Sequence, residues 1–181
     1  MAKTIVIYES KYGSTKQYAE WISSALSCEA REKKAFHPSD FKNYDTVIFG
    51  GGLYAGGVSG ISLLTKNFPL IQEKNIILFT CGLADPKDEK NQSHIKASLS
   101  KVLTPEMQNH FHLFSFRGAI DYSKLTFIHK SMMAMLHRVM QKKEPSSLTE
   151  EDQLMLQTYG KKVTFLDHSS IQPLVEYVRS L

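Results

Sequence analysis

The sequence of 181 residues contains only two cysteines, Cys28 and Cys81, which are too far apart to form a CxxC pair. This scarcity excludes a disulfide-stapled scaffold and a cysteine-based zinc or dithiol motif. No apolar run approaches the ~18 residues of a membrane-spanning helix. The apolar run at residues 4–8 ends at Glu9, before it could form the core of a secretory signal. We therefore expect a cytoplasmic protein with no metal site, whose redox chemistry, if any, comes from a bound group.

Charge of one sign is not in large excess either. Lys and Arg total 22 and Asp and Glu total 18, which gives a net charge of +4. This excess is too small to indicate a nucleic-acid partner, although it mildly favours anionic ones. The hydrophobic fraction of 42% is typical of a globular protein. At ~150 residues per domain, we expect residues 1–181 to form a single domain, and the oligomeric state is left open.

Short apolar runs alternate with segments of helical spacing through most of the chain. The predicted strands cover residues 4–8, about 30–36, 46–49, 75–80 and 111–116. Such alternation predicts an α/β fold with a parallel sheet covered on both faces. From about residue 124 to 162 the pattern becomes helical, and Ser147 to Glu150 has the spacing of a capping box. We interpret this segment as a helical insertion that splits or precedes a final strand at 163–166, before a last helix.

The loop between the first strand and the first helix has the composition of an anion site. It consists of Ser10, Lys11, Tyr12, Gly13, Ser14 and Thr15. Free backbone N–H groups and the positive end of a helix dipole converge at such a junction, so a phosphate can bind there. The loop is not a nucleotide-triphosphatase loop, because it lacks the GxxxxGK[ST] pattern. The alternative is that Ser14 or Thr15 only caps the helix and Gly13 only forms a turn.

A second loop, at residues 50–60, contains six glycines and follows the third predicted strand. It does not spell GxGxxG, so a dinucleotide fingerprint is not supported. In a doubly wound sheet of order 2-1-3-4-5, the first and third strands are neighbours at the topological switch point. The two loops would then flank one crevice, where the first holds a phosphate and the second borders a flat ring.

These motifs carry a resemblance to known families. The run from Ser10 to Thr15 resembles the phosphate motif of flavodoxins, [ST]-x-[ST/aromatic]-G-x-[ST]. More narrowly, the chain resembles the flavodoxin-like, menaquinone-dependent protoporphyrinogen IX dehydrogenase family of heme biosynthesis. The segments that carry this likeness are Tyr44-Asp45 with the strand after it, Arg117-Gly-Ala-Ile-Asp-Tyr122 and Val163-x-Phe165-x-Asp167.

The resemblance implies FMN at the switch point, with its phosphate on residues 10–15. The isoalloxazine ring would lie between two segments, one of Gly51, Gly52, Leu53, Tyr54, Ala55 and Gly56, and one of Cys81, Gly82, Leu83 and Ala84. Tyr54 would either stack on the ring or serve packing, and Cys81 would be either a core residue or a thiol beside the flavin.

The implied activity is the passage of electrons from a reduced substrate, such as a tetrapyrrole, through FMN to a quinone or another acceptor. FMN carries this chemistry itself, so no catalytic side chain is required. The alternative is an electron carrier of the flavodoxin type without its own substrate. Flavodoxin carriers are acidic as a family and this chain is basic, which favours the enzyme.

The predicted insertion combines an apolar stripe with basic residues. The stripe consists of Leu125, Ile128, Met132, Met133, Leu136, Val139 and Met140. It should pack on the rest of the protein. Lys130, Arg138 and Lys142 follow a second ridge, and no acidic residue lies between Asp121 and Glu144. This face is either simply solvated or a docking surface for substrate propionates or anionic lipid at the inner membrane face, with Phe127 and Met135 as apolar contacts.

Overall fold

The computed structural model describes residues 3–54 and 57–181, apart from the side chains at positions 150 and 151. Its centre is a sheet of five parallel strands, β1 (Thr4–Glu9), β2 (Glu29–Glu32), β3 (Thr46–Tyr54), β5 (Asn75–Gly82) and β6 (Phe111–Arg117). The strand order is β2-β1-β3-β5-β6. The predicted α/β class and the predicted order 2-1-3-4-5 of the parallel strands are therefore confirmed. A short strand, β4 (Gly57–Val58), pairs with β3 in an antiparallel hairpin.

Helices cover both faces of the sheet, which is why its central strands are apolar throughout. On one face lie α1 (Ser14–Leu26) and α8 (Gln172–Arg179), which bury Tyr18, Ile22 and Leu174 against the strands. The other face is covered by α2 (Ser62–Lys66), α3 (Phe68–Ile71), α4 (Glu89–Ser100) and α5 (Pro105–His110). With both faces buried, β1, β3 and β5 need continuous apolar runs rather than alternation.

The first three glycines of the predicted loop at residues 50–60 lie in a strand instead. β3 continues to Tyr54, and Gly50, Gly51 and Gly52 pair with β1, β5 or both. A Cβ atom on Gly50 would lie 2.0 Å from Cζ of Phe79, and one on Gly51 would lie 2.5 Å from the carbonyl oxygen of Ser59. The prediction that β3 ends at Phe49 was wrong, because close packing across the sheet, not a turn, requires these glycines.

The second strand is shorter than predicted. β2 ends at Glu32, and a 3₁₀ turn at Lys33–Ala35 follows. A further 3₁₀ helix at Pro38–Asn43 then brings Phe41 into the core beside Phe36. Burial of the Phe36 and Phe41 rings at the edge of the sheet outweighs the strand propensity of the segment.

The helical insertion lies between the two strands of a small, separate antiparallel sheet. β7 (Ala119–Asp121) pairs antiparallel with β8 (Lys162–Thr164), and α6 (Phe127–Gln141) and α7 (Glu150–Thr158) lie between them. The fifth strand of the main sheet is complete at Arg117, so the insertion follows it and does not split it. The predicted strand at 163–166 corresponds to β8 of this two-stranded sheet, not to a strand of the main sheet.

Each helix of the insertion differs from its prediction in one respect. The capping box that opens α7 pairs Thr149 with Asp152, not Ser147 with Glu150. On the predicted stripe, Leu125 and Met140 are buried, but Ile128, Met132, Leu136 and Val139 are exposed. The packing predicted for the whole stripe was therefore wrong, because periodicity shows which side chains share a face but not whether a partner covers it. In the described part of the chain, every helix is too short or too polar to cross a bilayer.

Candidate functional site

The loop between β1 and α1 leaves the first turn of α1 without a side-chain cap. Gly13 is the N-cap residue, with φ of 99°, and no side chain of the described residues accepts a hydrogen bond from the first turn. The turn also contains no acidic residue. The proposed capping role of Ser14 or Thr15 is thus wrong, and the N–H groups at this helix end are available to an anion. The N–H of Gly13 itself donates to Oγ of Ser10 at 3.1 Å.

A cavity of about 170 Å³ lies next to this helix end, at the carboxyl ends of β3 and β5. Eight of the predicted site residues line it, namely Tyr12, Ser14, Thr15, Leu53, Tyr54, Cys81, Gly82 and Leu83. Parallel strands of a doubly wound sheet present their carboxyl ends to a ligand at this edge. The structure therefore brings the phosphate loop and the ends of β3 and β5 together, as the predicted crevice requires.

The other predicted site residues do not line this cavity, or they lie outside the residues that the structure describes. Gly51 and Gly52 are buried within β3, and Gly13 forms the N-cap. Ser10 and Lys11 border a separate depression beside Lys33. Ala84 faces a different depression, next to Phe165. Ala55 and Gly56 lie outside the described residues, so their proposed contacts with the ring stay a prediction.

Three aromatic rings meet at the mouth of the cavity. The rings of Tyr54 and His129 are stacked with centroids 5.6 Å apart, and Tyr12 meets Tyr54 edge-on at 6.0 Å. The hydroxyl of Tyr12 lies 2.6 Å from Nδ1 of His129 and accepts a hydrogen bond from the N–H of Thr126 at 3.3 Å. Tyr12 thereby ties the phosphate loop to the first turn of α6.

Burial raises the pKa of Tyr54 to about 12. Its hydroxyl is therefore protonated at any physiological pH and acts as a neutral hydrogen-bonding group. Whether the Tyr54 ring stacks on a flavin stays a prediction, since here it packs against Tyr12 and His129.

The junction between β6 and β7 forms a wall of the cavity that sequence reasoning missed. The N–H of Ala119 donates to Oγ of Ser14 at 3.0 Å. A Cβ atom on Gly118 would lie 3.1 Å from Sγ of Cys81 and 3.2 Å from Oγ of Ser14. A side chain at position 118 would crowd these two groups, so glycine allows the junction to lie close to the phosphate loop. The run from Arg117 to Tyr122 carried the family resemblance, yet it was not assigned to the site.

The insertion supplies a further wall through Leu125, His129, Met132 and Met133. These residues were also missed as site residues. The available signal is the spacing of His129 and Met133, which are four residues apart and so share one face of α6. No property of the sequence alone shows that this face turns toward the cavity.

Cys81 is a buried core residue at the end of β5. Burial raises the pKa of its thiol to about 12, with a weaker opposing effect from the hydroxyl of Thr15. A thiol with such a pKa holds its proton at neutral pH and is a poor nucleophile. The interpretation of Cys81 as a small packing residue is the one that this environment favours.

Arg117 holds the loop that follows β5. Its Nε donates to the carbonyl oxygen of Leu83 at 3.2 Å, and its guanidinium lies 3.6 Å from a carboxylate oxygen of Asp85. The same group lies 3.9 Å from the ring centroid of Phe165. These contacts fix the backbone on which Gly82 and Leu83 border the cavity.

The basic residues of the insertion lie outside the cavity. Lys130, Arg138 and Lys142 are exposed on or just after α6, and none of them forms a salt bridge within residues 3–54 and 57–181, the side chains at positions 150 and 151 being outside the description. In the same part of the chain, no group of three His, Cys, Asp or Glu side chains could hold a metal ion.

Comparison with known proteins assigns the chain to a family. The model of the family described as "Flavodoxin domain" matches residues 5–147, well over half of the sequence. The chain belongs to the flavodoxin domain family. The match begins in β1 and extends past α6, so it includes the phosphate loop, both strands that border the cavity and the first helix of the insertion.

Solved flavoproteins are similar to this flavodoxin domain at low identity. A flavoprotein in complex with FMN from Lactobacillus acidophilus is 15% identical, with 65% of this chain and 93% of that chain covered and a TM-score of 0.44. Oxidised flavodoxin 1 from Bacillus cereus is 17% identical, with coverages of 64% and 86% and a TM-score of 0.42. A WrbA-like flavodoxin from Agrobacterium tumefaciens is 19% identical, with coverages of 64% and 84% and a TM-score of 0.42. No curated protein matches the chain.

The family assignment supports FMN as the cofactor, and the residues present fit this group. The uncapped helix end at Ser14 offers N–H donors and has no acidic residue in its first turn, which suits a phosphate monoester. The adjoining cavity is lined mainly by apolar and aromatic side chains together with the backbone of Gly82 and Gly118, which suits a flat ring system.

Proposed function

We propose that this flavodoxin domain is an FMN-dependent oxidoreductase that takes electrons from a reduced tetrapyrrole, such as protoporphyrinogen IX, and passes them to a quinone. The observation that carries the proposal is the wall of the cavity formed by α6. His129, Met132 and Met133 line the cavity, so the insertion contributes directly to the site. An insertion that encloses the site suits an enzyme that positions its own substrate better than a carrier that presents an open flavin edge to a partner protein.

In this proposal each part of the chain has a distinct task. The N–H groups at the start of α1 hold the phosphate, and the cavity between β3, β5 and α6 receives the ring. FMN, when bound, supplies the acceptor for a hydride equivalent from the substrate. The protein contributes position and exclusion of water rather than a nucleophile, in agreement with the protonated thiol of Cys81.

Two features of the protein fit an anionic, aromatic substrate. The rings of Tyr12, Tyr54 and His129 present flat apolar surfaces beside the cavity. The net charge of +4 favours association with carboxylate-bearing molecules. A tetrapyrrole with propionate groups combines both properties.

The test is an anaerobic visible spectrum of the FMN-loaded protein before and after addition of protoporphyrinogen IX. We expect the oxidised flavin band to bleach while porphyrin absorbance appears. Subsequent addition of a quinone analogue should restore the oxidised flavin band. A flavin band that does not change on addition of the porphyrinogen would contradict the proposed substrate.

A carrier of single electrons is the second candidate, and the size of the cavity favours it. About 170 Å³ is less than the roughly 300–1,000 Å³ of most small-molecule pockets, which suits a site that holds a cofactor without a separate substrate. For a carrier, we expect no reaction with the porphyrinogen and a reduction by dithionite that proceeds in two separate one-electron stages.

A further inference from the structure

Helix α6 exposes a large apolar face that the described part of the protein does not cover. Its most exposed apolar side chains are Phe127 (85%), Ile128 (69%) and Met135 (67%). Met132, Leu136 and Val139 extend the same face and are each at least 38% exposed. A single exposed apolar side chain is ordinary, but six on one helix of 15 residues are not. Such a face marks a docking surface.

The charges beside this face are all of one sign. Arg138 and Lys142 lie along one edge of the apolar face by helical geometry, and Lys130 lies on the far side of Phe127. From Tyr122 to Lys143 the sequence contains no Asp or Glu. The combination of exposed bulky apolar residues and flanking Lys and Arg is typical of helices that lie in the interface of an anionic bilayer.

The opposite face of α6 shows how the helix is anchored. Met140 is buried, His137 stacks on Tyr159 with ring centroids 3.9 Å apart, and His129 contacts Tyr12 and Tyr54. The helix is therefore attached to the domain along one side and faces outward along the other. The outward face extends over roughly 20 Å at 1.5 Å per residue.

We propose that α6 is an interfacial helix that docks the protein on a membrane surface rich in anionic lipid. Phe127, Ile128 and Met135 enter the boundary between headgroups and acyl chains, while Arg138 and Lys142 contact lipid phosphates. Charge complementarity selects this occupant over a second copy of the chain. Two α6 helices in a symmetric contact would bring together basic residues that no acidic residue of the helix could neutralise.

This inference goes beyond the proposed function and does not depend on the substrate. Met132 has one part of its surface in the cavity wall and another in solvent. Docking through α6 would therefore place the cavity close to the lipid surface, where a quinone dissolves. An electron carrier could use the same surface.

The experiment measures co-sedimentation of the FMN-loaded full chain with vesicles. One set contains 30% phosphatidylglycerol in phosphatidylcholine, and the other contains phosphatidylcholine alone. We expect binding to the anionic vesicles only, with an affinity that falls as salt is raised. The variant Lys130→Glu/Arg138→Glu/Lys142→Glu should bind at least a hundredfold more weakly, at about fivefold for each lost basic charge.

Two matched control variants separate the α6 surface from general effects. Lys42→Glu/Lys66→Glu/Lys101→Glu makes the same change of net charge at exposed positions outside α6, and it should retain most of the binding. For the apolar contribution, Ile128→Ser/Met135→Ser should lose binding, whereas Leu70→Ser/Val102→Ser changes exposed apolar residues elsewhere and should not. FMN fluorescence verifies that each variant is folded.

Three results would overturn the proposal. Wild-type protein that fails to sediment with anionic vesicles would do so, as would binding that the α6 and control variants weaken equally. The third is a dimer, seen by sedimentation velocity without lipid, that Ile128→Ser/Met135→Ser dissociates, since a second copy would then cover the face. None of these results depends on reaction with a porphyrinogen, so failure here is distinct from failure of the proposed function.

Discussion

Replacement of Gly50 by alanine tests the assignment of the glycine run to strand β3. A Cβ atom at this position would lie 2.0 Å from Cζ of Phe79 and 2.5 Å from both Cε atoms. Phe79 is fully buried and is the direct ladder partner of Gly50 on β5. Its ring has no free volume into which it could move without displacing other core side chains, because interiors are close-packed.

The expected cost is that of an overpacked core. Insertion of a methyl group into a well-packed site costs typically about 1–3 kcal/mol, and we expect Gly50→Ala to lie at the upper end because the overlap is with a fully buried ring. For a chain of this length, about 3 kcal/mol corresponds to a decrease in Tm of roughly 6–12 °C. Urea unfolding followed by circular dichroism measures the free energy of unfolding directly.

A double variant shows whether Phe79 is the cause. Phe79→Leu alone should cost about 1–2 kcal/mol through the volume that it leaves. If its ring is the obstacle, the loss of unfolding free energy in Gly50→Ala/Phe79→Leu should be smaller than the summed losses of the two single variants by at least about 1 kcal/mol. Gly57→Ala is the matched control, since the nearest described atom to its Cβ would be the carbonyl oxygen of Tyr54 at 3.7 Å.

A Tm of Gly50→Ala within 2 °C of the wild-type Tm would contradict this reasoning, because 2 °C corresponds to a loss of only about 0.5–1 kcal/mol in the free energy of unfolding. Effects of the two single changes that add without coupling would also contradict it. Either result would mean that Gly50 lies in a loop able to move away from Phe79.

Three further predictions concern the loop, the insertion and the buried thiol. Tyr12→Phe removes the hydroxyl 2.6 Å from Nδ1 of His129 and should cost about 1 kcal/mol, with faster amide exchange at the start of α6. Asp152→Ala removes the capping-box residue that pairs with Lys143 at 2.7 Å and should cost about 1–2 kcal/mol at pH 7. Cys81, with its pKa raised to about 12 by burial, should resist iodoacetamide at pH 8 in the folded protein and react in urea.

The effect of Asp152→Ala should depend on pH in a definite direction. The hydrogen bond from Lys143 and those from Thr149 lower the pKa of Asp152 below its usual value. A carboxyl whose pKa is lower in the folded state stabilises the fold above its unfolded pKa of ~3.9. This contribution is lost as the pH falls through the folded pKa. The difference between variant and wild type should therefore shrink in urea titrations at pH 3, and an unchanged difference would contradict the ion pair.

The two substitutions each have a control, and the labelling of Cys81 has an outcome that would contradict it. Tyr122→Phe removes a hydroxyl that forms no hydrogen bond in the described part of the chain, so it should not alter exchange in α6. Glu144→Ala removes an exposed carboxylate near Lys143 and should change stability by less than about 0.5 kcal/mol at either pH. Labelling of Cys81 in the folded protein at the rate of an exposed thiol would contradict its burial.

The parallel sheet could be predicted from the sequence because its signal is local. Continuous apolar runs such as residues 75–80 indicate strands buried on both faces. The loop after β1 could likewise be identified from six adjacent residues, since the donors at a helix end belong to the backbone at that point. Its family motif then placed Tyr12, Ser14 and Thr15 at a site, and the structure places all three on the cavity.

The remainder was decided by contacts between residues far apart in the chain. The length of β3 depends on Phe79, which fills the space above Gly50. His129 reaches the cavity because the pairing of β7 with β8 brings α6 back toward Tyr12. Tyr12 lies 117 residues earlier in the chain. Helical periodicity determines which side chains share a face, but the free energy of burial depends on what that face meets. The sequence by itself therefore determined where the five parallel strands lie in the chain, the phosphate loop and the amphipathic character of α6. Only the tertiary structure decided the lengths of β2 and β3, which side of α6 closes the cavity and which side stays exposed.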